Sequence, residues 1–185
     1  STVHYIETHY AEGHKHVEKN LNPVTEIYMK KGSYMNMKSV QIKGVNKTRR
    51  VTKAILDDDA KLEITEKIMT DNNSKADTIF DVKLNGVNSS CRVSSRSFAT
   101  DNSKQKFKSV IYGNNKCYAH VECDAILKDN GKVIAIPEIV ANNVDANLIH
   151  EAAIGKIAGE QLIKLMTLGL TEKEAEKEII KGFLK

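Results

Sequence analysis

The stretch Ile79-Phe80-Asp81-Val82-Lys83-Leu84, closed by Asn85-Gly86, shows the pattern that governs most of this chain. Apolar and polar side chains alternate within it, and alternation with period two is typical of a half-buried β-strand. The Asn-Gly pair that follows is a turn signal. The stretch therefore predicts one short strand that ends in a tight turn.

The same pattern recurs on both sides of this strand. From residue 3 to about residue 148 the apolar residues fall mainly into short period-two runs. Polar turn formers such as Asp71-Asn72-Asn73-Ser74 and Asn114-Asn115 separate them. Further runs lie at residues 26–29, 34–37, 61–64 and 125–127. Strand follows strand without helical spacers, which indicates an all-β region.

Two architectures accommodate so many short strands: a closed barrel or sandwich, and a solenoid whose coils stack in parallel. Asn85-Gly86 and, more weakly, Asp129-Asn130-Gly131 are turns of the kind that antiparallel hairpins favour. The repeat length looks irregular, so periodicity gives the solenoid only mild support. The strand pattern alone leaves both architectures open.

The end of the chain changes character. From about Glu151 the apolar residues follow helical spacing, and Gly169 stands where a helix C-terminal glycine belongs. Thr171 and Glu174 form a T-x-x-E capping box, which predicts the start of a second helix. The apolar residues of the two predicted helices are Ile154, Ile157, Ala158, Leu162, Leu165, Met166, Ala175, Ile179 and Phe183.

We therefore expect a β core over residues 1–148 and a two-helix segment over residues 149–185. The apolar stripes of the helices are most simply a cap on the open end of the β core. A docking surface for a partner protein is the sharper interpretation.

The composition is that of an ordinary globular protein, with 41% apolar and 28% charged residues. Lys and Arg number 28 against 24 Asp and Glu, a balance too even to indicate nucleic-acid binding. The densest basic stretch, Lys47-Thr48-Arg49-Arg50, is interpreted as a solvated loop. No run resembles a signal peptide or a membrane span, so a cytoplasmic setting is expected.

Three cysteines, Cys91, Cys117 and Cys123, form an odd set that fits a reducing compartment. The C-x5-C spacing of the last two matches neither structural zinc nor ferredoxin-type clusters. Small buried cysteines that fill a β core are the simpler interpretation. Near the start of the chain, His14 and His16 would share one face of a strand, so a metal site there is conceivable but not diagnostic.

His150 and Glu151 stand where the strand pattern gives way to the helical one. Such a junction often positions function, but a carboxylate at a helix start is also favourable for its interaction with the helix dipole alone. The chain has no Gly-rich phosphate loop, no G-x-S-x-G elbow and no H-E-x-x-H zinc motif. Local motifs therefore leave both interpretations of this pair open.

A series of short motifs runs along the chain. They are Gln41-Ile42-Lys43-Gly44-Val45, Ser94-Ser95-Arg96-Ser97, Cys123-Asp124-Ala125-Ile126-Leu127, Ile136-Pro137-Glu138-Ile139, His150-Glu151-Ala152-Ala153-Ile154-Gly155-Lys156-Ile157, Gln161-Leu162, Gly169-Leu170, Glu174-Ala175 and Gly182-Phe183. In order and spacing the set resembles the SufB/SufD family of iron-sulfur cluster assembly proteins. The first two motifs look like the family's shorter anaerobe and archaeal members.

The resemblance implies a right-handed parallel β-helix with a C-terminal helical segment. It further implies a non-catalytic scaffold that binds no nucleotide itself and pairs through the β-helix, as a homodimer or a SufB/SufD-type heterodimer. An ABC-type ATPase, SufC, would dock on the helices. The expected docking residues are Ile154, Leu162, Leu165, Ile179 and Phe183.

By position, His150 and Glu151 match the family's H-E-A motif, which is implicated in cluster or iron binding, and Cys123 matches the cysteine of its C-D motif. His120 and Cys123 are ligand candidates of second rank. Mixed thiolate, imidazole and carboxylate ligands would hold a transient iron-sulfur cluster loosely, as a scaffold that releases its cluster requires.

Two features depart from the family pattern. A sulfur-accepting cysteine that SufB-type members carry is absent near Asn130-Gly131-Lys132, so Cys117 or Cys123 takes that role or the chain is more like SufD. The chain also opens in apparent mid-domain, so we expect it to lack an N-terminal part.

Two other functions compete with the scaffold. A β-solenoid carbohydrate-active enzyme would line its cleft with aromatic rings, yet aromatics make up 5% and tryptophan is absent. A purely structural, SufD-like partner subunit would differ from the scaffold only in lacking cluster ligands.

Overall fold

The computed structural model describes residues 1–12 and 17–185. The possible metal site at His14 and His16 lies outside this range. Twelve strands and two helices are described. They are β1 (Thr2–Tyr10), β2 (Asn20–Leu21), β3 (Val24–Met29), β4 (Tyr34–Lys43), β5 (Lys47–Leu56), β6 (Lys61–Thr70), β7 (Lys75–Leu84), β8 (Ser90–Ala99), β9 (Lys104–Gly113), β10 (Tyr118–Leu127), β11 (Lys132–Ala141), β12 (Asn147–Lys156), α1 (Gly159–Met166) and α2 (Glu172–Phe183).

The strands form two parallel sheets that face each other. Sheet A has the order β1-β4-β6-β8-β10-β12, and sheet B has the order β11-β9-β7-β5-β2, with β3 also paired to β5. The chain passes from one sheet to the other at every turn, so each coil contributes one strand to each sheet. The predicted parallel β-helix with a helical C-terminal segment is confirmed.

The coils repeat more regularly than the sequence indicates. From β2 onward, stacked partners are 27 to 29 residues apart, as for Tyr34 with Lys61 and Lys61 with Ser90, whereas the partners in β1 and β4 are 32 or 33 residues apart. Most strands are ten residues long. The irregularity that the sequence suggests comes from corners that differ by one or two residues.

Corner residues, rather than hairpins, account for the turn signals. Asn85-Gly86 leads from β7 in sheet B to β8 in sheet A, and Asp129-Asn130-Gly131 leads from β10 back to β11. At Gly86 an added Cβ would lie 2.0 Å from the backbone of Asp57 and Asp58 in the preceding coil. This corner therefore needs glycine because two backbones meet there.

Polar side chains also tie the corners together. Asn114 donates its Nδ2 hydrogen to Asn85 Oδ1 at 2.7 Å, and Asn142 donates in the same way to Asn114 at 2.7 Å. In such a ladder, the side-chain amide of each asparagine forms a hydrogen bond with the asparagine of the neighbouring coil. They fix the axial register of the stack at one corner.

The core lies between the sheets and is formed by alternate residues of the strands from β3 to β10. In β7 the inward Phe80, Val82 and Leu84 are buried, whereas Asp81 and Lys83 point outward. The stretch Lys47–Arg50 is not a loop, because it begins β5 and directs Arg50 into the interior. The alternation seen in residues 79–84 is thus repeated along the strands that form the core.

Two predictions for the end of the chain are wrong. Residues 151–156 complete β12, and α1 begins only at Gly159. The apolar residues of this segment can suit either period, and the ladder with β10 decides for the strand. The division into a core at 1–148 and a helical segment at 149–185 remains a prediction, although the helices themselves start later.

The second correction concerns what the helices cover. Lys67 donates to Lys185 O at 2.6 Å, Arg96 donates to Phe183 O at 3.2 Å, and Lys128 pairs with Glu176 at 2.5 Å. These basic residues belong to three successive coils of sheet A. Helix α2 therefore lies across the outer face of sheet A and does not cap the last coil. Basic side chains on that face bind carbonyl groups at the C-terminal end of the helix, where cations are favoured.

The capping box at the start of α2 is confirmed, with Thr171 and Glu174 each accepting from the other's backbone. Gly169 has a φ of +96° between the two helices, the conformation expected of a glycine after a helix end.

We predict that Gly86→Ala destabilises the protein by about 2 kcal/mol or more, because the new methyl group would overlap backbone that cannot move without shifting a coil. Thermal or urea unfolding measures the effect. Gly155→Ala is the matched control, since nothing lies within 4 Å of its added Cβ. Equal stability of the two variants would contradict the stacking of these corners.

Candidate metal site on the outer face and thiols inside

Strands β10 and β12 carry the residues on which the functional prediction rests. Their register pairs Val121 with His150 and Glu122 with Glu151. Val121 is buried in the core, so its partner His150 also points inward, whereas Glu151 points outward beside Glu122. The H-E pair is therefore divided between the two faces of sheet A.

The position of this pair also differs from the prediction. His150 and Glu151 lie in the middle of β12, not at the junction of a strand and a helix. A carboxylate at a helix start therefore does not explain Glu151. Glu151 instead lies beside His120 and Glu122 of the adjacent strand β10.

On the outer face, the imidazole of His120 lies between two carboxylates. His120 Nδ1 is 3.6 Å from Glu122 Oε1, and His120 Nε2 is 3.4 Å from Glu151 Oε2. One ligand atom from each residue lies within 4.8 Å of the others, a spacing that a single metal ion can bridge. We call these three residues the outer cluster.

The outer cluster contains one largely buried side chain, that of His120, and one exposed side chain, that of Glu151. The His120 side chain is 15% exposed, and its Nε2 atom is shielded from solvent without a hydrogen bond of good geometry. The side chain of Glu151 is 66% exposed, so it can move onto an arriving ion. Imidazole and carboxylate ligands suit divalent iron, zinc or manganese, and surface carboxylates exchange readily.

Sequence reasoning missed Glu122 as a member of this cluster. The signal was the H-x-E spacing in β10, which places both side chains on one face of a strand. His120 and Glu151 were predicted, but only the register of β10 with β12 brings them together.

Cys123 occupies the opposite face of β10. It follows Ser95 and Glu66 in one inward column of sheet A. Its thiol is buried, and burial raises its pKa to about 12, with the charges of Glu66 and Asp124 adding to the effect. A thiol in this state is protonated near neutral pH and does not bind metal until it is exposed.

Glu66 is 1% exposed and holds a charge network inside the solenoid. Its carboxylate accepts hydrogen bonds from Ser95 at 2.9 Å and from Thr78 at 3.0 Å. Arg50 Nε lies 3.8 Å away and also pairs with Glu7. Burial raises the pKa of Glu66, and the Arg50 charge opposes that rise. Pairing is what makes such buried charges tolerable.

His150 lies in the same interior. Its Nδ1 is 3.3 Å from Ser109 Oγ, and its ring centroid is 6.3 Å from that of Phe107. Burial lowers its pKa, so the neutral ring is favoured. His150 and Cys123 are diagonal neighbours on adjacent strands, about 8 Å apart at Cα by strand geometry. They share a compartment with each other, not with Glu151.

The other cysteines are also free and buried. Burial raises the pKa of the Cys91 thiol to about 12 and also raises that of Cys117. All three cysteines thus fill the core in this structure. Whether one of them accepts sulfur stays a prediction.

The predicted docking residues on the helices are partly covered. Leu162 and Leu165 of α1 and Ile179 and Phe183 of α2 are half-buried, while Ile154 is exposed on β12. Fully presented apolar side chains near them are Ile163 at 62% exposure and Leu168 at 75%. Among the described residues of the helical segment, these two carry the most exposed large apolar side chains. Within the described ranges, no helix is both long and apolar enough to cross a membrane.

A stack of parallel coils, each with one strand in either of two facing sheets, defines a β-solenoid protein, and its outer face carries a histidine-carboxylate cluster. The family model for the SUF system FeS cluster assembly, SufBD core domain, matches residues 45–183. The chain therefore belongs to the SufBD family of iron-sulfur cluster assembly proteins, as the motif resemblance predicts.

Individual relatives agree with this membership. An iron-sulfur cluster assembly SufBD family protein of Methanocaldococcus jannaschii is 44% identical over 104 residues, which are 56% of this chain and 33% of the relative. An Archaeoglobus fulgidus member is 29% identical over 165 residues, or 89% of this chain and 45% of the relative. The iron-sulfur cluster assembly protein SufB of Bacillus subtilis is 31% identical over 103 residues, covering 52% and 22%. The chain spans less than half the length of these relatives.

We predict that Cys91 and Cys123 of the folded protein react with iodoacetamide about a thousandfold more slowly at pH 8 than ordinary thiols, because a pKa of about 12 leaves almost no thiolate. Mass spectrometry after timed quenching measures each rate. The same protein in guanidinium chloride is the control and should react quickly at all three cysteines. Rapid labelling of folded Cys123 would contradict its interior position.

Proposed function

We propose that this chain is the core of a scaffold that holds iron and sulfide while an iron-sulfur cluster is assembled. The main structural support for this proposal is the outer cluster of His120, Glu122 and Glu151. Family membership supplies the chemistry, and the cluster supplies a place for iron that is accessible without unfolding the core. Iron is cargo here, not a resident cofactor.

The chemistry of the ligands favours temporary binding. One imidazole and two carboxylates leave further coordination positions on iron open for sulfide, water or a ligand from a partner. Among the described residues all three cysteines are buried, and Cys123 points to the side of β10 opposite the outer cluster. Iron held in this way is released more easily than iron held by four cysteines.

Pairing through the β-helix is the second part of the proposal. β11 and β12 end the two sheets, so each has one edge with no neighbouring strand among the described elements. Ile139 and Ile154 in this last coil are exposed, and an open sheet edge favours addition of another strand. A homodimer or a SufB/SufD-type heterodimer formed there would bring a second chain beside Glu151 on the edge strand.

The third part is docking of a SufC-like ABC ATPase on the helical segment. Ile163 and Leu168 are exposed on and just after α1, and apolar groups presented in this way favour a protein contact. Three basic residues of sheet A hold α2. Movement of the helices by a partner would therefore act on three successive coils of the β-helix.

We predict that anaerobic titration calorimetry detects Fe(II) binding and that His120→Ala, Glu122→Gln or Glu151→Gln each weakens it about tenfold or more, because a three-ligand site loses one ligand. His150→Ala and Glu138→Gln are controls and should bind iron as the unaltered chain does. Loss of binding in His150→Ala, with none in His120→Ala, would place iron in the interior instead. Absence of binding in the unaltered chain would favour the structural, SufD-like role.

We predict that the chain co-purifies with a SufC-type ATPase and that Ile163→Asp with Leu168→Asp reduces the retained ATPase at least about fivefold, since a charge in an apolar contact costs several kcal/mol. Val144→Asp is the matched control, because Val144 is 100% exposed at the corner between β11 and β12, at the opposite end of β12 from α1. Undiminished capture by the double variant would contradict docking at this surface.

A further inference from the structure

Four lysines form a single column along the outer corner of sheet B. The register pairs Lys47 with Lys75, Lys75 with Lys104 and Lys104 with Lys132. Each is the first residue of its strand, from β5 to β11. With about 4.8 Å between parallel strands, the column places four ammonium-bearing residues along about 14 Å.

This column differs from its neighbours in charge pattern. In the next outward column Asp77 lies between Arg49 and Lys106, and further along Lys53 lies between Glu26 and Asp81. Those columns alternate in sign, which stabilises stacked strands, whereas like charges directly opposite each other are unfavourable. A column with one sign of charge therefore weakens the stack unless an anion is present.

The chain itself neutralises one member of the column. Lys47 Nζ lies 2.5 Å from Glu18 Oε1. Among the described residues, Lys75, Lys104 and Lys132 have no carboxylate within 4.0 Å of their ammonium groups. Lys75 still attracts Glu18 at longer range, and that carboxylate is shared with Lys47. The three lysines are exposed, so their ammonium groups are accessible to another molecule.

Asparagines line the same groove beside the lysines. Asn73, Asn102 and Asn130 occupy the corner, and Asn130 Nδ2 donates to Asn102 Oδ1 at 3.1 Å. Asp129 is the one acidic residue among the described residues that line the groove, and its Oδ2 accepts a hydrogen bond from Thr100 at 3.0 Å. The lining thus carries three positive charges and one negative charge, and Glu18 outside the lining also attracts Lys75.

We propose that this lysine groove binds an extended acidic segment of a partner protein. Three lysines span about 10 Å, the length of about three extended residues. Asparagine amides both donate and accept, which suits a peptide backbone. Lysines offer separate point charges and not the forked contacts that arginine makes to phosphate, and no aromatic ring among the described lining residues can stack on a base.

The groove is separate from the outer cluster. It lies where strands of sheet B begin, whereas His120 and Glu151 face outward from sheet A. The proposal therefore stands or falls independently of iron binding.

Fluorescence anisotropy with a fluorescein-labelled peptide of alternating Asp and Glu residues tests the proposal in about 50 mM salt. Lys75→Gln, Lys104→Gln and Lys132→Gln together should weaken binding at least tenfold and flatten its salt dependence. The control triple Lys31→Gln, Lys116→Gln and Lys173→Gln removes the same charge elsewhere and should change the affinity less than about twofold. Circular dichroism should show both triples folded.

Three outcomes would overturn the proposal. Equal loss of binding in the two triples would indicate attraction by net charge alone. Equal binding of a peptide with Asn and Gln in place of Asp and Glu would remove the role of the lysines. Tighter binding of a labelled eight-nucleotide oligothymidylate than of the acidic peptide would assign the groove to nucleic acid.

Discussion

Everything in this molecule depends on the in-register parallel hydrogen bonding of each coil to the next. Because the coils after the first repeat every 27 to 29 residues, residues far apart in sequence become neighbours about 4.8 Å apart. The period of two then decides which side of the sheet each one faces. Core, outer cluster and lysine column are consequences of these two rules.

The division of His150 from Glu151 is where these rules matter most for function. Adjacent residues of one strand are sent to environments with opposite chemistry. Inside, burial keeps Cys123 protonated and favours neutral His150, so these groups stabilise the core. Outside, Glu151 on the edge strand β12 lies beside His120 and Glu122 of the neighbouring strand β10. In the proposed scaffold the outer groups bind iron without any rearrangement of the fold, whereas the inner groups would need the coils to open.

Much of the fold was accessible from the sequence, because alternation in runs such as residues 79–84 and the capping box at Thr171 are local signals. The choice of a solenoid came from the motif resemblance and not from the strand pattern, since the paired residues that prove it lie a whole coil apart and their side chains differ in type. The start of the helices was wrong because the apolar residues after Glu151 suit either period, and only pairing with β10 selects a strand. Glu122 and the lysine column escaped notice for the same reason, as no local window contains both members of a stacked pair.

X-ray absorption of the Fe(II)-loaded chain tests most directly whether iron is held on the outer face. Iron at the outer cluster has only oxygen and nitrogen neighbours from this chain, and the imidazole scattering disappears in His120→Ala but persists in His150→Ala. A protein sulfur neighbour that disappears in Cys123→Ser, or imidazole scattering that depends on His150, would contradict the outer-face site.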